Sequence, residues 1–254
     1  MVKEKAFFNW SGGKDSSLAL YEALQDSSFD IRYLLTNLSA EYNRISMHGV
    51  RYELLEEQAK SIGIPLTTMR IIKDASMEDY NNLMQKKMAF FIDKDVRHCF
   101  FGDIFLEDLK KYREEQLSKV NIKAHFPLWK RSTKTIIKTF IDLGFKAKVV
   151  SINANLLDKS FVGRELDAMF IKDLPRYVDV CGENGEFHSF VYDGPIFKYP
   201  IPIKVGSIVK KEYKSNGDSS WNTSFWYADI EKIIGDPLLL RTILNKKAIK
   251  KSDS

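Results

Sequence analysis

The chain predicts an α/β fold: a parallel five-stranded sheet with helices on both faces, followed by a smaller second α/β domain. Three observations carry that reading. Through its first half, short apolar runs alternate with segments of helical period, the pattern of strands paired in parallel through right-handed helical crossovers. The first apolar run ends in two adjacent glycines and reopens at once as a helix, reading SGGKDS over Ser11 to Ser16. Beyond Trp129 the rhythm shifts toward extended segments punctuated by glycine and proline.

Taken in order, Phe7 to Trp10 reads as the first strand, and Asp15 to Gln25 as a helix with Ala19, Leu20, Ala23 and Leu24 on one side. Ile31 to Leu38 is the second strand, followed by a polar loop. Val50 to Ile62 forms a helix closed by Gly63, and Pro65 opens the strand PLTTMRII. Met77 to Asp93 is helical, Val96 to Ile104 a strand, Phe105 to Lys119 an amphipathic helix, and Ile122 to Leu128 the fifth strand. Ser132 to Leu143 is then a helix, Lys146 to Asn153 a strand, and Gly163 to Leu174 another helix. From Val178 the chain is mainly extended; Pro195, Pro200 and Pro202 argue against central strands where they stand, and Gly217 lies in a turn-like stretch. These breaks divide the chain into residues 1–129, a nucleotide-binding domain, residues 130–230, a second domain, and residues 231–254, a peripheral basic tail.

A chain of 254 residues with 44% hydrophobic and 29% charged residues suits a folded protein of this size, and no stretch approaches the apolar length of a membrane helix. The charged start MVKEKAFFNW lacks the apolar core of a signal peptide, so a cytoplasmic location without membrane attachment is expected. Two cysteines, Cys99 and Cys181, provide neither a disulfide framework nor a zinc site. Much of the net charge of +5 sits in the final NKKAIKKSDS, a solvated tail more than a grip on nucleic acid.

A buried strand that ends in two glycines and becomes a helix gathers backbone N–H groups around one point, with the helix dipole behind them. SGGKDS lacks the GxxxxGK[ST] spacing of a Walker loop; its adjacent glycines make a shorter turn suited to a terminal pyrophosphate. Ser11, Gly12, Gly13 and Ser16 supply donors, Lys14 neutralises charge, and Asp15 is the expected ligand of a magnesium ion bridging phosphate oxygens. The alternative is a Gly-Gly turn followed by an Asp15 N-cap. In parallel sheets ligands lie beyond the carboxyl ends of the strands, which adds His48, in SMHGV, and Gly102 and Asp103, after FFG, to the expected nucleotide-binding residues. His48 reads equally as a helix-opening residue, and Asp103 as a helix cap.

A second constellation is CGENGEFHSFVYDGPIF, Cys181 to Phe197, which packs Glu183, Glu186, His188 and Asp193 between glycines. Carboxylates so grouped ligate a cation, orient an amine or take its proton; Glu183 and Glu186 are the catalytic candidates beside Lys14 and Asp15, and Glu183, Asn184, Gly185, Glu186 and His188 the substrate-binding ones. The same residues also read as a hairpin turning at Asn184-Gly185 with Phe187 and Val191 buried. Lys130, Arg131, Lys134 and Lys138 form a basic cluster at the domain junction, read as a solvated face over a phosphate contact. His98 and His125 read as core histidines, and Trp221, Phe225, Trp226 and Tyr227 as core of the second domain.

SGGKDS and GENGEFH, together with MHGV, PLW at 127–129 and FVGRELD at 161–167, resemble the diphthine–ammonia ligase family, a branch of the PP-loop ATP pyrophosphatases with a HUP-like nucleotide-binding domain. The likeness runs from about residue 5 to about residue 230. It implies an enzyme that splits ATP to AMP and pyrophosphate, activates a carboxylate as an acyl-adenylate, and lets ammonia displace AMP. The family's carboxylate is that of diphthine, a modified histidine on translation elongation factor 2. Ser11 to Ser16 match the pyrophosphate loop; Glu183, Gly185 and Glu186 match the second-domain signature. Where archaeal and eukaryotic members read GEGGE, an aromatic and then Glu, this chain has Asn184 and His188, wording closer to bacterial members. The acceptor is therefore open between diphthine and a small or corrinoid-type acid, and a homo-oligomer is compatible with all of this. Competing readings are a PP-loop tRNA-modifying enzyme, which would usually use a cysteine pair, and a nucleotide-binding module without turnover.

Overall fold

The first strand, β1 (Glu4–Asn9), is buried on both sides because its apolar residues alternate between two cores. Phe8 points into the larger core with Leu34 and Leu38, while Phe7 enters a smaller one with Leu35, Met69 and Met88 and stacks on Phe91 at 3.9 Å between ring centroids. The computed structural model describes residues 2–45, 49–73, 75–213 and 223–233.

After β1 come α1 (Lys14–Gln25), β2 (Phe29–Ser39), the two-residue β3 (Arg44–Ile45), α2 (Tyr52–Ile62), β4 (Leu66–Ile71), α3 (Met77–Asp93), β5 (His98–Phe100), α4 (Glu107–Ser118) and β6 (Lys123–His125). Parallel pairing runs β4 to β2 to β1 to β5 to β6, the five parallel strands expected, and β3 adds an antiparallel bridge to the end of β2. α2 stops as its sequence requires: Gly63 adopts φ +88° and returns its N–H to the Ala59 carbonyl at 2.8 Å. α3 opens on a capping box between Ser76 and Asp79.

The remainder comprises α5 (Thr133–Asp142), β7 (Lys146–Asn153), α6 (Ala168–Asp173), β8 (Phe187–Asp193), β9 (Ile203–Tyr213) and β10 (Thr223–Lys232). Its strands form an antiparallel sheet in the order β8-β7-β10-β9. The two sheets share one core. Val149, Ile152, Phe187 and Phe190 belong to the same buried cluster as Phe8 and Leu18, and α1 lies between, touching β2 and β5 on one side and β8 on the other. Asp229 of β10 also accepts from Arg51 and Arg44 at 3.0 and 2.9 Å, and these hydrogen bonds, Arg51's first, pull its carboxyl down to about 2.

Some elements are shorter than their patterns. The helix expected over Gly163 to Leu174 begins only at Ala168, capped by Asp167, whose carboxylate accepts from the Phe170 amide at 2.8 Å. Residues 163–166 instead pair with β7, for Gly163 sits at φ +84° and Val162, Leu166 and Phe170 are buried without a continuous helix beneath them. Of the strand expected over Val96 to Ile104 only His98–Phe100 forms, and beyond it the backbone at Gly102 packs against the start of α1. Asn184-Gly185 is a turn, but not of a hairpin: β8 pairs with β7. His98 and His125 bond each other at 2.8 Å. Trp226 packs on the larger core while Phe225 and Tyr227 stay half-buried; Trp221, Gly217 and the tail from residue 234 lie outside the described residues. Among those described, no helix is long and apolar enough to cross a membrane.

Candidate active site

The SGGKDS turn forms at the carboxyl end of β1. Gly12 is at φ +75°, and a Cβ there would stand 2.6 Å from Gln58 Oε1 and 2.8 Å from Leu55 Cδ2, so only glycine fits. Its carbonyl accepts from the Val191 amide of β8 at 2.9 Å and from Gln58 Nε2 at 3.0 Å. Fully buried, Gln58 also donates to the Val191 carbonyl at 2.6 Å and accepts from Trp10 Nε1 at 2.9 Å. The Lys14 amide donates to Ser189 Oγ at 3.1 Å. Inside the turn, Ser11 Oγ donates to Ser16 Oγ and Ser16 Oγ to the Gly13 carbonyl, each at 3.0 Å. Gly13, the N-cap of α1, has no side chain to accept from the first turn; Ser189 takes the Lys14 amide, and the positive end of the helix dipole lies at this turn.

Lys14 is almost wholly buried, with Nζ 2.7 Å from Asp15 Oδ2 and 4.0 Å from Glu183 Oε1. Burial opposes its charge, yet Asp15 and, farther off, Glu183 outweigh that and hold the ammonium above the ordinary lysine range. The second oxygen of Asp15, Oδ1, is buried without a hydrogen-bond partner. Gly102 closes the back of the turn: a Cβ there would lie 3.0 Å from the Ser16 amide nitrogen.

Residues 179–186 fold around two carboxylates. Glu186, 2% exposed, accepts from the Asp179 amide at 3.0 Å, the Asn184 amide at 2.8 Å and Asn184 Nδ2 at 3.0 Å. Asp179 accepts from the Cys181 and Glu183 amides at 2.8 and 3.4 Å and from Thr133 Oγ1 at 2.8 Å. With those two committed to the loop, Glu183 is the carboxylate that faces Lys14. Burial, then the Asp15 charge, push Glu183 up to about 7. Gly185, at φ +81°, has open space where a Cβ would be. His188, on β8, is drawn down to about 4 by burial and the Lys14 charge, and is a neutral imidazole at pH 7.

The structure therefore joins Ser11 to Ser16, Gly102 and the Glu183 to His188 segment around one point. Asp103 pairs with Arg113 of α4, whose guanidinium lies 4.4 Å from the Phe101 ring centre; Arg113 and Phe101 both line the cavity described below. His48 lies outside the described residues, though its flanks are held, Arg44 donating to the Gly49 carbonyl at 2.7 Å. Gln58, Ser189 and Asp179 went unpredicted. The clue to Gln58 was a polar residue on the apolar face Leu54, Leu55, Ala59 and Ile62; Ser189 and Asp179 gave none, since their partners are remote in sequence. Beneath the ends of β1, β2 and β5, on the face away from α1, lies a cavity of about 370 Å³ lined by Asn9, Asn37, Met84, Met88 and Phe101. Asn37 Oδ1 is buried there without a partner.

The model described as diphthamide synthase N-terminal domain matches residues 4–124, and that of the diphthamide synthase C-terminal domain residues 132–234. The diphthine–ammonia ligase of Bos taurus is 30% identical over 224 residues, covering 78% of this chain and 82% of the bovine protein. The chain belongs to the diphthine–ammonia ligase family. The Homo sapiens ligase is 24% identical with the same coverage of both proteins, and the Saccharomyces cerevisiae ligase 22% identical over 74% of this chain and 33% of its own longer length. As a member of the diphthine–ammonia ligase family, the chain is an ATP-dependent ligase.

Proposed function

We propose that this ligase forms an amide in two steps: a carboxylate attacks the α-phosphorus of ATP, expelling pyrophosphate and giving an acyl-adenylate, and ammonia then displaces AMP. One observation carries the reading. The short Gly-Gly turn after β1, Lys14 and Asp15 at the start of α1, and Glu183 in the loop before β8 meet, with Lys14 Nζ only 4.0 Å from Glu183. A carboxylate is a poor electrophile, and adenylation turns one of its oxygens into a leaving group. The turn's amides and Lys14 would receive the departing pyrophosphate, preorganised because Gln58, Val191 and Ser189 already hold the loop.

Magnesium fits the residues present. Asp15 Oδ1 is buried and unpartnered, and this cation commonly binds through one or two carboxylates plus phosphate oxygens. Bound there, it would neutralise charge on the pyrophosphate. Glu183, poised near 7, would take the proton that nitrogen loses on attacking the acyl carbon. Glu186 would act by fixing the loop that aims Glu183, its oxygens being committed to three donors. The cavity by Asn9 and Asn37 would seat the nucleoside. In this scheme residues 1–129 bind ATP and residues 130–230 present the acceptor; the expected boundary at 231 falls inside β10, which runs to Lys232 and there pairs with Glu57 of α2. The acceptor is diphthine or a small-molecule acid.

A thiolating PP-loop enzyme would need a reactive cysteine. Both thiols are buried, Cys181 is pushed up to about 12 by burial, and Cys99 is raised well above its usual value by the same cause. Incubation with ATP, magnesium, ammonium and candidate acids should release AMP and pyrophosphate; ADP and phosphate as the only products would refute the proposal.

A further inference from the structure

The basic cluster at residues 130–138 resolves unevenly. Lys130 pairs with Glu107 at 2.9 Å, Arg131 with Glu22, and Lys138 with Asp142. Lys134 is left without an ion pair among the described residues. It lines an open cavity of about 370 Å³ between the start of α5 and the 174–180 segment, which Arg176, likewise unpaired among the described residues, also lines. The cavity's carboxylate, Asp179, is already committed to the Cys181 and Glu183 amides and Thr133 Oγ1. Leu174 and Val178 add apolar wall, and Asn184 completes the lining.

Asn184 is the link to the chemistry. It follows Glu183, whose carboxylate faces Lys14, so the cavity and the SGGKDS turn border the same loop. Two free cations, one a guanidinium suited to planar anions, give the cavity a positive field with no opposing free carboxylate.

We propose that this cavity holds the acceptor acid by a second anionic group, a carboxylate or phosphate remote from the carboxylate that is amidated. The inference rests on the acid-activating reading above and narrows its substrate to small acids carrying at least two negative groups. Lys134 and Arg176 are then specificity residues: they anchor the far end of the acid while Lys14, Asp15 and Glu183 act on the near end.

The test reads binding without turnover, in the full-length protein saturated with magnesium and α,β-methylene-ATP, so that the pyrophosphate loop is filled and cannot itself capture the probe. Tricarballylate and 3-phosphoglycerate are titrated, with butyrate and 4-(trimethylammonio)butanoate as controls. At least one of the two polyanions should bind ten-fold or more tighter than either control. The double variant K134Q/R176Q, altered only at exposed positions, should lose that preference while its affinity for the nucleotide stays unchanged. Failure of both polyanions to bind, equal binding of butyrate, tighter binding of the quaternary ammonium acid, or an unaltered preference in the double variant would each overturn the proposal. A wrong assignment of the ATP chemistry shows up separately, as ADP in the product assay.

Discussion

Glu183 and Glu186 are three residues apart, both carboxylates, and nearly opposite in situation. Glu186 is saturated by backbone and amide donors, whereas Glu183 faces a buried lysine and is pushed up to about 7 by burial and by Asp15. Glu183→Gln should thus lower kcat by about 10²–10⁴-fold, the range for losing a positioned base, with ATP affinity retained; steady-state kinetics beside nucleotide titration checks this. The rate should climb with pH to a plateau above about 7, since the base must be deprotonated, and that limb should vanish in the variant. Lys14→Met should cost about 10²–10³-fold in the pyrophosphate-releasing step, as removal of a preorganised charge does elsewhere, measured by acid-dependent pyrophosphate exchange. That Lys14, Asp15 and Glu183 would meet was legible because each sits in a compact motif. The division of labour between the two glutamates was not, because it depends on which amides the folded loop directs at each.

At the scale of elements, α2 and β8 clamp the SGGKDS turn. Gln58 meets Trp10, Gly12 and Val191 at one buried point, so Gln58→Leu keeps the volume and strands their polar groups. The expected loss is about 2–4 kcal/mol in denaturant unfolding, accompanied by a raised KM for ATP as the turn loosens. The parallel strands and long helices were readable from periodicity, α3 to both of its ends. Periodicity failed where burial came from a partner instead of local structure: Val162, Leu166 and Phe170 imitate a helix face, but Gly163 and the pairing with β7 keep residues 163–166 extended. It failed again after Phe100, where Gly102 must back onto α1.

Over the whole molecule, the two sheets share one core and the groups proposed to react lie between them, so stability and protonation are coupled. His125 and His188 are both drawn to about 4, by burial first. At these two histidines the unfolded chain binds more protons than the folded one between about pH 4 and 6.5, so their share of stability falls on acidification through that window, by about 3 kcal/mol at most for buried His188 and by less for half-exposed His125, whose shift solvent screens. Glu183 is shifted the other way, and its protonation on acidification from about 7 offsets roughly one such share. Glu183→Gln should therefore steepen the loss of stability between pH 7 and 4, followed by thermal unfolding across that range; an unchanged slope would contradict it.

The central claim, that the carboxylate is activated by adenylation at the meeting of these two sheets, is tested most directly by isotope transfer. With ATP, ammonium and an accepted acid labelled with ¹⁸O in its carboxylate, mass spectrometry of the nucleotide product should show one ¹⁸O in the phosphate of AMP. Label found in inorganic phosphate, or AMP formed without label, would contradict the account.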